Sequence, residues 1–201
     1  MEYKALIVGL GNPGPEYATT RHNIGFILAD ALVELAKSRK SMRFKELSAS
    51  SNYELFSMSL AGNNILVTKP LTYMNLSGNA VGSICGKNSI SVKDVIVVHD
   101  ELDLPQGRMK FKRGGGNNGH RGLLSIQEVM KSPDFLRIRI GIGRPEFSSQ
   151  VKDYVLEEFS AKELNVSNQM VHAVIKGLDL YFRRGQGPAT QFMHTFEPDE
   201  S

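Results

Sequence analysis

Several side chains in this sequence have the types and neighbours to do chemistry at a carbonyl. His22, in Arg21-His22-Asn23, carries an imidazole that titrates near neutrality and can act as a base. Asp100 is the first acid of His99-Asp100-Glu101-Leu102-Asp103 and follows an apolar run at residues 95–99. A carboxylate there can orient an imidazole and stabilise its protonated form. Asn12, in Gly9-Leu10-Gly11-Asn12-Pro13-Gly14, and Asn75, in Thr72-Tyr73-Met74-Asn75-Leu76-Ser77-Gly78, offer carboxamides that both donate and accept, which suits a peptide or ester group. Met74 can supply an adaptable apolar wall. Each of these residues also has a plainer use, as a turn residue, a helix cap, a surface imidazole or a solvated acid. Asp100, Glu101 and Asp103 could instead hold a hard metal ion, but their spacing matches no strong metal motif.

No Gly-x-Ser-x-Gly elbow occurs, and Cys85 lies in an apolar helical pattern, so no Ser or Cys nucleophile is signalled. Hydrolysis here has to use water and a general base. That suffices for an ester, whose alkoxide departs more readily than an amine. Gly9, Gly11 and Gly14 spell a literal Gly-x-Gly-x-x-Gly, but its context is wrong for a dinucleotide. Pro13 and Pro15 each remove an N–H and push the preceding residue to extended backbone. The following helix starts near Asn23, well after the third glycine, and no acid stands at the end of the next strand. The glycines therefore shape a tight turn that places Asn12 at the carboxyl edge of a sheet.

A second glycine-rich stretch, residues 114–122, can form a backbone nest for phosphate directly before a helix N-terminus. Lys110 and Lys112 precede it, as does Arg113, and Arg137 and Arg139 follow on a predicted strand. Alternate strand residues share a face, so each of those i, i+2 pairs projects together. The net charge of +3 is uneven: residues 108–144 hold nine Lys/Arg against two acids, while the rest of the chain holds fifteen against nineteen. Such a local excess around a glycine loop points to a polyanionic partner.

The elements that must position these groups alternate. Strands are expected at residues 3–10, 43–47, 53–60, 64–69, 95–99, 108–112 and 136–142, with Gly62-Asn63 as a hairpin turn. Helices are expected at 23–38, capped by Asn23, at 75–87, capped by Asn75 or Ser77, at 123–130 and at 161–184, ended by Gly185. This pattern predicts an α/β fold, a single mixed β-sheet flanked by helices on both faces, in one domain over residues 1–201. With 201 residues, 41% of them hydrophobic, the chain can bury a full core. One cysteine fits a reducing compartment, and neither a membrane span nor a signal peptide is evident, so a cytoplasmic location is expected.

Four segments together carry a resemblance. GLGNPGPEYATTRHNIGF, KPLTYMNLSG, VVHDELDLPQGRMKFKRGGGNNGHRGL and FLRIRIGIGRP stand in the order and spacing of bacterial-type peptidyl-tRNA hydrolases, over residues 4 to about 192. The resemblance implies a monomeric esterase that cleaves peptide from the 3′ end of tRNA and recycles tRNA from abandoned translation. It implies no metal, organic cofactor, membrane or obligate protein partner. It assigns catalysis to His22 and Asp100. Asn12, Tyr17, Tyr73, Met74, Asn75 and Arg121 form the candidate substrate-binding set. Lys110, Lys112, Arg113, Arg137 and Arg139 form the candidate tRNA phosphate-binding set. Two departures stand out. Arg121 replaces an asparagine usual in such proteins and cannot accept a hydrogen bond, and a basic residue expected near Ser148 is missing. Arg121 leaves open a non-catalytic RNA-binding relative on the same fold, which the His22 and Asp100 pair argues against. A metal-dependent phosphoesterase using Asp100, Glu101 and Asp103 is the second rival, and a nucleotide-binding oxidoreductase ranks last.

Overall fold

A computed structural model describes residues 2–199 of the chain. Seven strands form one mixed sheet: β1 (Ala5–Gly9), β2 (Phe44–Ala49), β3 (Tyr53–Leu60), β4 (Asn63–Pro70), β5 (Val95–Glu101), β6 (Met109–Arg113) and β7 (Leu136–Gly141), in the order β2-β3-β4-β1-β5-β7-β6. The centre, β4-β1-β5-β7, is parallel, and β2, β3 and β6 add antiparallel flanks. Six helices accompany it: α1 (Ile24–Ser38), α2 (Ser77–Asn88), α3 (Arg121–Met130), α4 (Val151–Leu156), α5 (Ala161–Arg184) and α6 (Gln186–Thr195). The α/β class, the mixed sheet and the two helical layers are as expected.

Strand alternation divides the core. Ile7, Ile96, Val98 and Ile138 face α1, α5 and α6, where they meet Leu28, Leu32, Val174, Leu178 and Met193. Leu6, Val8, Val95 and Val97 face α2 and α3 and meet Val81, Ile84, Leu123 and Ile126. The central strands are therefore apolar on both faces, which is why they read as continuous hydrophobic runs. No helix among the described residues is long and apolar enough to cross a membrane.

Three local expectations are corrected. The β3-β4 turn is Ala61-Gly62, not Gly62-Asn63: both residues have positive φ, and Leu60 pairs with Asn63. Two left-handed residues match the twist of the strands they join, and that requirement outweighs the cost to alanine. Helices α4 and α6 are additional. In α6, Gly187 and Pro188 read as breakers, but they occupy the first turn, where a missing N–H costs nothing. Neither Asn75 nor Ser77 caps α2. Residues Met74–Leu76 form a 3-10 turn that leads into the helix, and the Ser77 hydroxyl donates to the Met74 carbonyl at 2.9 Å.

Candidate active site

The turn after β1 is held by a side chain from the start of the next helix. Asn23 does precede α1, but its carboxamide does not cap it. Instead its Oδ1 accepts from the Asn12 N–H at 2.8 Å and its Nδ2 donates to the Asn12 carbonyl at 2.9 Å. This clamp needs β1 and α1 to come very close. A Cβ on Gly25 would run into backbone atoms of Leu10 and Val98, and one on Gly9 into the Gly25 carbonyl. The clamped Asn12 then accepts from the Met74 N–H through Oδ1 at 3.1 Å. That bond fixes the amide orientation and leaves the Asn12 NH₂ as a donor.

His22 lies in a one-turn 3-10 helix, Arg21–Asn23, anchored by its neighbour. Arg21 is 8% exposed; it donates to the Tyr154 carbonyl, pairs with Glu157 at 2.9 Å and Glu163 at 3.1 Å, and stacks over the Tyr154 ring. The α4–α5 region thus holds the imidazole in place from behind.

Strand β5 runs two residues beyond the expected end, so Asp100 and Glu101 are strand residues on opposite faces. Asp100 is 4% exposed, and its Oδ1 accepts from two imidazoles, His22 Nδ1 at 2.8 Å and His120 Nε2 at 3.1 Å. His120 Nδ1 accepts from the Gly122 N–H at 3.2 Å, which assigns its proton to Nε2. The Asp100 bond likewise assigns the His22 proton to Nδ1, leaving Nε2 as the basic nitrogen. Burial alone favours a neutral carboxyl at Asp100, but the two imidazoles hold it well below the usual range. Burial also pulls the His22 pKa down; the Asp100 charge and hydrogen bond outweigh this and raise it above 6.5. Next door, His99 is fully enclosed, its ring edge-on to His120, and burial pushes its pKa down to about 3, so it stays neutral.

These shifts predict a pH profile. The base form of His22 is lost as pH falls through its raised pKa, so the acidic limb of kcat/KM should have its midpoint above pH 6.5. Asp100→Asn removes the raising charge, so in that variant the limb should move to lower pH, at reduced rate. A profile that keeps its midpoint in Asp100→Asn would show that another group titrates.

His22 opens on a cavity of about 540 Å³, also lined by Asn12, Tyr73, Met74, Asn75 and Arg121. Six of the candidate catalytic and substrate residues thus share one cavity with Asp100 in its wall. Tyr17 is the exception. It belongs to a short turn, Pro15–Tyr17, and does not line the cavity. His120 was not singled out by sequence reasoning. Its signal, a histidine one residue before a helix, was absorbed into the glycine loop, and its partnership with Asp100 spans twenty residues.

The acids of the 99–103 run separate rather than cluster. Glu101 pairs with Arg139 at 2.6 Å and accepts from the Asp103 N–H, and Asp103 pairs with Arg144 and accepts from Asn118. Strand alternation turns Asp100 away from the other two, so the three-acid metal cluster is not formed. Among the described residues, the group with metal-ligand types is His22, Asp100 and His120. There the atoms that would ligate are those of the two imidazole–carboxylate hydrogen bonds.

On the sheet face shared with His99, Lys110 lies opposite Arg139 and Lys112 opposite Arg137. Burial and the neighbouring Arg139 and Arg137 cations lower the Lys112 pKa, against the opposing pull of the Glu101 carboxylate. One assignment is corrected. Arg137 is 1% exposed, donates to the Gly115 and Gly116 carbonyls at 2.9 and 2.8 Å and lies over Phe135, so it pins the glycine loop rather than meeting a phosphate. Arg113, at the far end of β6, is exposed, and one nitrogen of its guanidinium donates to the carbonyls of Lys93 and Asp134. Lys110 and Lys112 face outward on one side of β6, with Arg139 beside them held by Glu101, and Arg113 is exposed at the strand end.

Comparison with known proteins gives the family. A family model described as peptidyl-tRNA hydrolase matches residues 6–201. A peptidyl-tRNA hydrolase of Maridesulfovibrio salexigens is 75% identical over 199 residues, covering 99% of this chain and 97% of its own. One from Nitratidesulfovibrio vulgaris is 43% identical over 202 residues, covering 99% and 100%. The crystal structure of peptidyl-tRNA hydrolase from Acinetobacter baumannii superposes with a TM-score of 0.89 at 30% identity, covering 99% of this chain and 100% of that one.

Proposed function

The chain belongs to the peptidyl-tRNA hydrolase family and acts on peptidyl-tRNA, and on that premise we propose that it cleaves the ester to the tRNA 3′ end with water activated by His22, without a metal ion. The observation that carries this reading is the Asp100–His22 bond, which leaves a basic Nε2 on a cavity where Asn12 presents an amide donor. His22 Nε2 takes a proton from water as its oxygen attacks the ester carbonyl. Asp100 keeps the tautomer and favours the imidazolium that forms. The Asn12 NH₂ donates to the carbonyl oxygen as negative charge develops there. The imidazolium then returns its proton to the departing ribose oxygen as its bond to the acyl carbon breaks, releasing peptide and tRNA with a free ribose hydroxyl.

His120 shares the Asp100 carboxylate and so restrains it from rotating away from His22. Met74 and Asn75 border the peptide end, and Lys110, Lys112 and Arg139 offer positive charge to the acceptor stem. The groups set for proton transfer favour an enzyme over a non-catalytic RNA-binding relative.

Release of N-acetyl-phenylalanine from N-acetyl-phenylalanyl-tRNA tests the reading. Release should continue unchanged in excess EDTA, and kcat/KM should fall as salt rises, because phosphate contacts release counterions. Loss of release on chelation, with recovery on adding a divalent cation, would overturn the metal-free mechanism.

A further inference from the structure

The cavity is not electrically neutral. Of its charged lining groups, Asp100 is enclosed between two imidazoles and Glu101 is paired with Arg139. Two cations remain, Arg121 and Lys152. Both are exposed, and neither pairs with a carboxylate among the described residues. They come from different walls. Arg121 opens α3, which packs on the Met74–Leu76 turn beside the Asn12 amide. Lys152 lies on α4, which packs on the Arg21–Asn23 turn that carries His22. Between them the lining is partly apolar, with Met74, Leu102, Val155 and Leu156. An acyl chain lying on that apolar lining, with its ester at His22, would bring a terminal carboxylate toward these two ammonium and guanidinium groups.

Resting on the hydrolase reading, we propose that Arg121 and Lys152 determine substrate choice, favouring peptidyl groups that carry a carboxylate near the scissile ester. The sign follows from charge. A carboxylate entering the cavity meets two unpaired cations, while Glu101 is already paired with Arg139 and the Asp100 carboxylate is buried behind the two imidazoles that bond it. Solvent screens both cations, so each contributes modestly. Together they should favour the acidic substrate by about 3- to 10-fold at low ionic strength, an advantage that declines above ~0.15 M salt.

One phenylalanyl-tRNA, acylated on its amino group with either succinyl or butyryl, isolates the effect. The two acyl chains have similar length and differ in the terminal carboxylate, and the RNA is the same. Wild type should hydrolyse the succinyl substrate with the higher kcat/KM. In Arg121→Gln and in Lys152→Gln the succinyl-to-butyryl ratio should fall, approaching 1 in the double variant, whatever happens to the absolute rates. Arg121→Lys keeps the charge and should keep most of the ratio, which separates charge from a folding defect. A wild-type ratio of 1, or a ratio unchanged in both Gln variants, overturns the proposal. So does an equal loss on both substrates accompanied by weaker tRNA binding, which would assign Arg121 to an RNA phosphate. If wild type hydrolyses neither substrate, it is the hydrolase reading that fails, and the selectivity proposal falls with it.

Discussion

His22→Ala is expected to lower kcat about 10²–10⁴-fold, the usual contribution of a positioned general base. Binding of tRNA should stay close to wild type. The residue contributes a basic nitrogen to the cavity, while the outward-facing cations on β6 and β7 belong to different elements. Arg21 anchors the turn that carries it, so removing the imidazole should leave the turn in place. Single-turnover release from N-acetyl-phenylalanyl-tRNA, read beside tRNA binding by filter retention, separates the two effects. Turnover within a few-fold of wild type would remove His22 from the mechanism. Loss of both turnover and binding, with an unaltered melting temperature, would make it an RNA-binding group instead.

Gly25→Ala is expected to be among the most destabilising single-methyl additions in the chain. Added methylenes in a packed core usually cost about 1–3 kcal/mol, because neighbouring side chains can yield. Here the new Cβ would meet backbone atoms of Leu10, just past the end of β1, and of Val98, in the middle of β5, and neither can rotate aside. A loss of about 3 kcal/mol or more should follow, lowering the melting temperature by about 6–12 °C for a chain of this size. Activity should fall further than stability alone requires, because the displaced turn carries the Asn12–Asn23 clamp. Gly86→Ala is the control. It lies in α2 with open space around its would-be Cβ, and should stabilise by about 0.5–1 kcal/mol. Equal melting temperatures for the two variants would show that β1 and α1 are not in such close contact.

Particular elements show what could be read without the structure. The apolar runs at Ile7 and Val97, buried on both faces, report parallel central strands because helices must cover each side. The spacing of Val171, Val174 and Leu178 reports α5 over its full length, Ala161–Arg184. His22 and Asp100 could be paired because each stands at the carboxyl edge of a predicted strand, where α/β folds gather their ligands. Helix α4 was not legible because six residues carry too little period to register.

The sequence by itself determined the layer order, the edge of the sheet that carries the site, and the residue types available for water activation and RNA contact. These follow from local periodicity and turn chemistry, which act over a few residues. Only the tertiary structure decided how each polar group is partnered. Arg137 and Arg139 share a strand face by alternation, yet one is covered by the glycine loop and the other reaches Glu101. Asn23 has the composition of a cap and becomes a clamp, because the close approach of β1 to α1 brings the Asn12 peptide within its reach. His120 joins the Asp100 carboxylate across a turn of chain that no periodicity describes. A buried polar group takes the partner that packing brings within hydrogen-bond distance, because leaving it unpaired costs more than any local preference contributes.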